Sequence, residues 1–157
     1  VDVVEKIYEI KQRDDDKPFI ILISDISDLD SFQITLSKEQ QEYLSNVWPG
    51  AVSVILSCPG NEFKYLHRGK ESLAFRLPDD EELREFLGKT GPLVAPSANI
   101  QDQDPAFTIE RAKDYFSDNV NFYIDAGLLK AESSTLIDLT SDQPKILRQG
   151  NVKINGF

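Results

Sequence analysis

The sequence predicts an α/β protein built on an open, twisted mixed sheet with flanking helices. Three observations carry this. Apolar residues switch repeatedly between a helical and a strand period along the chain. The two kinds of segment are interleaved, which puts helices against a sheet. They do not alternate regularly, so a mixed sheet fits better than a doubly wound parallel one. At 157 residues, 40% of them hydrophobic, the chain has the size of one domain, 1–157, and shows no repeat or linker.

Val3, Val4, Ile7, Tyr8 and Ile10 recur at helical spacing, predicting a helix over residues 2–11 that delivers Lys11 and Arg13 at its end. Lys17-Pro18 stops it, and the apolar run Phe19–Ile23 reads as a strand buried on both faces. Asp25–Phe32 is a short helix or turn. Ser37 and Gln40 form a capping box for a helix running to Val47, ended by Trp48-Pro49-Gly50, with Trp48 a packing anchor. Ala51–Leu56 is strand-like, and Cys58-Pro59-Gly60-Asn61 marks a turn.

In Ser72–Leu77 the alternation is clean: Leu73, Phe75 and Leu77 face one side, Ser72, Ala74 and Arg76 the other. Ser72 and Arg76 therefore share a face, about 13 Å apart at the usual strand rise. Asp79 or Asp80 caps a helix carrying Leu83, Phe86 and Leu87, and Gly88 ends it. Leu93-Val94-Ala95 is a short buried strand that opens into the polar loop Pro96-Ser97-Ala98-Asn99. Thr108 caps a helix with Ala112, Tyr115 and Phe116 inward, and Phe122–Ile124, Thr135–Leu139 and Lys145–Leu147 are further short strands.

Composition excludes several classes. A formal net charge of -10 argues against a general nucleic-acid binder, which must neutralise phosphates over a wide face. One cysteine, Cys58, and one histidine, His67, cannot build a disulfide or a His/Cys zinc cage, so any metal would be a hard, oxygen-liganded ion such as Mg²⁺. No apolar run has membrane-spanning length and Val1 begins no signal peptide, which makes the cytoplasm the default location. Gly88-Lys89-Thr90 is not a phosphate loop, because Leu83 stands where that motif needs glycine.

The stretch Lys11-Gln12-Arg13-Asp14-Asp15-Asp16-Lys17-Pro18 concentrates three cations in this acidic chain. On its own it reads either as a solvated helix end answered by the three Asp or as an anion site at an element junction.

Four separated signatures run in order: Lys11-x-Arg13 with Lys17-Pro18, Trp48-Pro49-Gly50, Pro96-Ser97-Ala98-Asn99, and Ser134-Thr135-x-x-Asp138 with Arg148-x-Gly150. Together they resemble the YrdC/Sua5 family of threonylcarbamoyl-AMP synthases, over nearly the whole chain and in the short single-domain form. The resemblance implies a YrdC/RibB-like fold around a large concave cavity. It also implies synthesis of L-threonylcarbamoyladenylate from L-threonine, bicarbonate and ATP, with pyrophosphate released, Mg²⁺ as companion ion, and a tRNA-modifying threonylcarbamoyl transferase complex as consumer.

By that resemblance, Lys11 and Arg13 hold the triphosphate and bicarbonate, and Ser97 and Asn99 stand at the reaction centre. Asn99, Ser72, Thr108 and Arg148 face ATP. Lys17, Arg76, Ser97 and Ser134 face threonine, with Arg76 on its carboxylate. Read as residues alone, Thr108 is equally a helix cap, Ser134 a strand residue, Arg76 a solvent-facing strand position and Asn99 a turn former. Cys58 and His67 match no signature.

The chain departs from the family pattern in three places. The opening strand with its Pro-Thr-x-Thr-x-Tyr-Gly-Leu signature is missing from this sequence. The proline after Lys-x-Arg is Asp14, and the Ser-Gly after Ser-x-Asn is Gln101-Asp102, which predicts a stiffer loop. Two rival readings follow: a non-catalytic YrdC-like protein with a weak tRNA or double-stranded RNA contact, and an accessory carbamoyl-transfer domain of a larger enzyme.

Overall fold

The computed structural model describes residues 1–129 and 133–154. The chain divides into two compact units, one of Val1–Lys17 with Pro96–Ala131, the other of Pro18–Ala95 with Glu132–Phe157.

The first unit is helical. In α1 (Asp2–Lys11) the buried residues are Val4, Tyr8 and Lys11, spaced i, i+4, i+7 on one stripe. Val3, expected on that stripe, is 71% exposed, so the apolar line sits one position further round and draws Lys11 inward. The helix closes through Gln12 in a left-handed conformation. Helix α5 (Ile109–Phe116) is capped by the Thr108 side chain, which accepts from the Arg111 N–H, and it buries Phe116. The predicted strand Phe122–Ile124 does not form: Phe122 and Ile124 are more than two-thirds exposed. Tyr123 between them donates its hydroxyl proton to Ser117 O, tying the segment to the end of α5 with no ladder partner.

Among the described residues, six strands lie in the second unit: β1 (Ile20–Leu22), β2 (Val52–Ser57), β3 (Ser72–Arg76), β4 (Leu93–Val94), β5 (Thr135–Asp138) and β6 (Lys145–Arg148). Their order is β4-β1-β3-β2-β5-β6. The β1/β3 and β2/β5 pairs are parallel and the other three antiparallel, the mixed sheet that irregular interleaving predicts. A 3-10 helix (Ile26–Phe32) with an Asp25/Asp28 capping box, α2 (Lys38–Val47) with the expected Ser37/Gln40 box, a short α3 (Lys64–His67) and α4 (Glu81–Thr90), capped by Asp80, complete the unit. The core includes Phe75, Leu73, Val54 and Ile137 of the sheet and Leu29, Leu44 and Leu87 of the helices, all almost fully buried. Phe75 meets the Phe32 ring edge-on at 5.0 Å.

Three sequence expectations fail here. Gly88 does not end α4: the helix runs to Thr90, and Gly91, with φ of 80°, is the stop, donating its N–H to Leu87 O. Phe86 of this helix is 45% exposed. Neither β1 nor β4 is fully buried, because Ile20 and Leu22 of β1 are half-buried and β4 is the sheet edge, with Leu93 39% exposed. Among the described residues, no helix is long and apolar enough to cross a membrane.

Candidate functional site

The first unit gathers Lys11, Ser97 and Asn99. Lys11 is 3% exposed, and its Nζ donates to the backbone carbonyls of Ser97 and Asn99, each at 2.5 Å, with Asn99 Oδ1 at 3.4 Å. Every partner is an acceptor, so the cage fits an ammonium. Burial, with the nearby Arg13 guanidinium second, lowers the Lys11 pKa to about 8, which leaves it cationic at neutral pH. Ser97 donates its hydroxyl proton to Asn99 Oδ1 at 2.6 Å, and Asn99 Nδ2 donates to the Ile100 and Gln103 carbonyls. The Ser-x-Asn loop is thus folded around the end of α1, with one positive charge beneath it. The Gln101 N–H bonds Lys11 O, fixing the far side of the loop to the same residue.

Arg13 and Lys17 lie beside this loop in sequence but differ in setting. Arg13 Nε donates to Lys17 O at 3.1 Å. Lys17 Nζ pairs with the Asp14 carboxylate at 2.5 Å, and Asp14 in turn accepts from Gln101 Nε2 at 3.0 Å. Hydrogen bonding to Lys17 and then to Gln101 holds the Asp14 carboxyl below its ordinary range, and Asp14 raises Lys17. Thr108 spends its side chain on capping α5.

The second unit holds Ser72, Arg76, Ser134 and Arg148. Ser72 and Arg76 sit at opposite ends of β3 on its half-buried face, as the alternation requires. Arg76 Nε donates to Gly50 O at 3.1 Å, and desolvation lowers its pKa. This gives the Trp48-Pro49-Gly50 signature a physical role. Trp48 is buried and donates Nε1–H to Val52 O, the Trp48-Pro49 peptide is cis, and Gly50 N–H bonds Leu77 O. A Cβ on Gly50 would lie 2.7 Å from Val47 O, so the turn that seats Arg76 needs glycine. Arg76 also lines a recess of about 880 Å³ whose polar lining includes Asn46, Asp79, Asp80, Asn151 and Lys153.

Arg148 donates through Nε and Nη2 to Ser134 O at 3.3 and 3.0 Å. Two residues on, a Cβ on Gly150 would meet Ser133 O at 2.1 Å and Ser134 C at 2.5 Å. The Gly150 N–H donates to Thr135 Oγ1, Thr135 Oγ1 donates to Val152 O, and the Asn151 N–H donates to Ser133 O. The Ser-Thr and Arg-x-Gly signatures are therefore two halves of one clamp on the Ser133–Thr135 backbone. Inside it, Ser134 Oγ lies 2.8 Å from Ser53 Oγ, a buried hydroxyl pair that the sequence reading did not single out. The available signal was a lone serine inside the apolar run Ala51–Leu56.

His67 and Cys58 serve the fold. His67 Nδ1 accepts the Gly69 and Glu71 N–H groups, which leaves Nε2 to donate to Gly60 O. Cys58 is buried, and burial pushes its thiol up. No group of three or more His, Cys, Asp or Glu side chains converges to hold a metal among the described residues.

Comparison with known proteins agrees with this architecture. A family model described as "Telomere recombination" (Sua5_yciO_yrdC) matches residues 1–150. The threonylcarbamoyl-AMP synthase of Bacillus subtilis is 30% identical over 154 residues, covering 96% of this chain and 44% of its own length. A crystal structure of P. abyssi Sua5 complexed with L-threonine superposes with a TM-score of 0.85 at 28% identity, covering 95% of this chain and 44% of that one. The crystal structure of E. coli YciO, at 24% identity, shares the fold with a TM-score of 0.83 over 97% of this chain and 75% of its own. The chain thus spans less than half of the B. subtilis and P. abyssi relatives. A match that takes in both units and all four signatures shows that this chain belongs to the Sua5/YciO/YrdC family.

Proposed function

We propose that this chain makes L-threonylcarbamoyladenylate from L-threonine, bicarbonate and ATP. The threonine amine adds to bicarbonate with loss of water, giving a carbamate. A carbamate oxygen then attacks the α-phosphorus of ATP, and pyrophosphate leaves with the bonding electron pair. No side-chain nucleophile is required, only cations and hydrogen-bond donors that collect anions and stabilise charge on phosphorus.

The single observation that carries this reading is the Lys11 ammonium held beneath the Ser97–Asn99 loop. The carbonyls that hold this ammonium are neutral, so its net positive charge is left to act on an anion bound at the loop. Lys11, Arg13, Ser97 and Asn99 act on the reacting groups; Ser72, Thr108 and Arg148 serve the nucleotide; Lys17, Arg76 and Ser134 serve threonine. Mg²⁺ travels with the ATP phosphates, and the adenylate passes to a threonylcarbamoyl transferase acting on tRNA.

The experiment is pyrophosphate release from ATP with threonine and bicarbonate each omitted in turn, beside Lys11→Ala and Arg13→Ala. Release that needs both co-substrates and falls at least a hundredfold in the variants is expected. Release indifferent to threonine sinks the proposal.

A further inference from the structure

The Ser53–Ser134 pair contains an unspent proton. Two hydroxyls carry two hydrogens, and the bond between them uses one. Neither Oγ makes another hydrogen bond among the described residues, so one O–H is left without an acceptor inside the unit. Burying such a donor is costly, and the cost is least where the group has some access to solvent or ligand. Ser53 is 0% exposed and Ser134 6%. The economical arrangement has Ser53 donating to Ser134, which leaves Ser134 to present its proton outward.

Register adds the second half. Antiparallel pairing of β2 with β3 sets Val54 opposite Phe75, and one step on it sets Ser53 opposite Arg76. Ser53 and Arg76 therefore share the sheet face, with Ser134 hydrogen-bonded to Ser53 beside them. The row itself offers donors, the Arg76 guanidinium and one free hydroxyl proton, while Asp79 and Asp80 stand in the recess that Arg76 also lines. A guanidinium beside a hydroxyl donor fits a carboxylate.

We infer that Ser53 is a positioning residue that orients Ser134 Oγ–H toward the carboxylate of the amino-acid substrate. The inference rests on the synthase reading for an amino-acid substrate at Arg76 and Ser134 and for its being threonine. Ser53 touches no substrate. It acts by donating its own proton to Ser134 Oγ, which leaves the Ser134 proton turned away from Ser53.

The test is L-threonine binding to the full chain by titration calorimetry, followed by threonine and ATP KM values from pyrophosphate release. Ser53→Ala lets Ser134 rotate and should weaken threonine about tenfold while leaving the ATP KM unchanged, the worth of one hydrogen bond to a charged group. Ser53→Thr restores the hydroxyl and should return to within about twofold of the parent protein. Ser53→Ala combined with Ser134→Ala should bind no more weakly than Ser134→Ala alone, because the two act as one unit. Ser53→Cys, with nearly the same volume and a poor donor, gives the same reading if the alanine variant does not fold.

Threonine affinity unchanged in both Ser53→Ala and Ser53→Cys overturns the inference, as does additivity with Ser134→Ala. Equal losses in threonine and ATP KM mark Ser53 as structural and overturn it too. If the parent protein neither binds threonine nor releases pyrophosphate in its presence, the synthase reading falls first and takes this inference with it.

Discussion

Asp14 and Gln101 hold each other at two points: the Asp14 N–H donates to Gln101 Oε1 at 2.8 Å, and Gln101 Nε2 donates to the Asp14 carboxylate at 3.0 Å. Both residues are departures from the family pattern. The proline usual at position 14 has no N–H to offer. The two departures therefore complement one another, each supplying the partner the other needs. Asp102 takes φ of 63°, a left-handed backbone that aspartate tolerates better than most side chains. Asp14 is turned toward Lys17 and Gln101.

Asp14 should titrate below the ordinary carboxylate range. Its folded pKa is depressed, so its contribution to stability is present above the unfolded value and is lost as pH falls through the lowered one. Carboxyl NMR titration should show the midpoint moving up in Lys17→Ala and, by less, in Gln101→Ala, the order of the two causes. A midpoint that ignores both substitutions would show that the pairing does not persist in solution.

Glycine substitutions should separate two roles. Gly150→Ala drives a methyl into the Ser133–Ser134 backbone and should cost about 2–3 kcal/mol, with Tm falling about 6 °C in a thermal melt. Gly88→Ala places its methyl in open space inside α4 and should raise stability by about 0.5–1 kcal/mol.

Lys11 sets a pH limit. With its pKa lowered to about 8, the folded chain releases this proton while the unfolded chain keeps it up to about 10.5. Over that window the Lys11 contribution to stability rises with pH, but the cation beneath the Ser97–Asn99 loop is lost. Threonine-dependent pyrophosphate release should therefore fall on a limb near pH 8, and Lys11→Arg, which does not titrate there, should lack that limb whatever its absolute rate.

Cys58 should be inert. Buried, with its thiol pKa raised and its Sγ donating to Phe32 O, it should react with a thiol-specific disulfide reagent only after denaturation. Prompt stoichiometric reaction of the native protein would contradict that placement.

The sequence patterns resolved most elements because their signals are local: the Ser37/Gln40 box, the Asp80 and Thr108 caps and the Ser72–Arg76 alternation each act within a few residues. What failed depended on distant chain. Phe122–Ile124 has strand chemistry but no ladder to join, and β4 has a neighbour on one side only. Gly88 misled because glycine stops a helix only where the backbone turns left-handed, which happens at Gly91. Lys11, Ser97 and Asn99 come together across a long stretch of chain, and the links from Arg76 to Gly50 and from Ser134 to Ser53 join segments far apart in sequence, so none of them leaves a mark in local spacing.

Trp48 is the chain's single tryptophan, and it is buried two residues from the carbonyl that seats Arg76. The protein thus carries an intrinsic optical reporter at one end of the β3 arginine, without any label. Its fluorescence should be that of a shielded indole in the native state. A spectral shift on adding an amino acid would report a change around the Trp48–Gly50 turn, independently of whether any pyrophosphate is released.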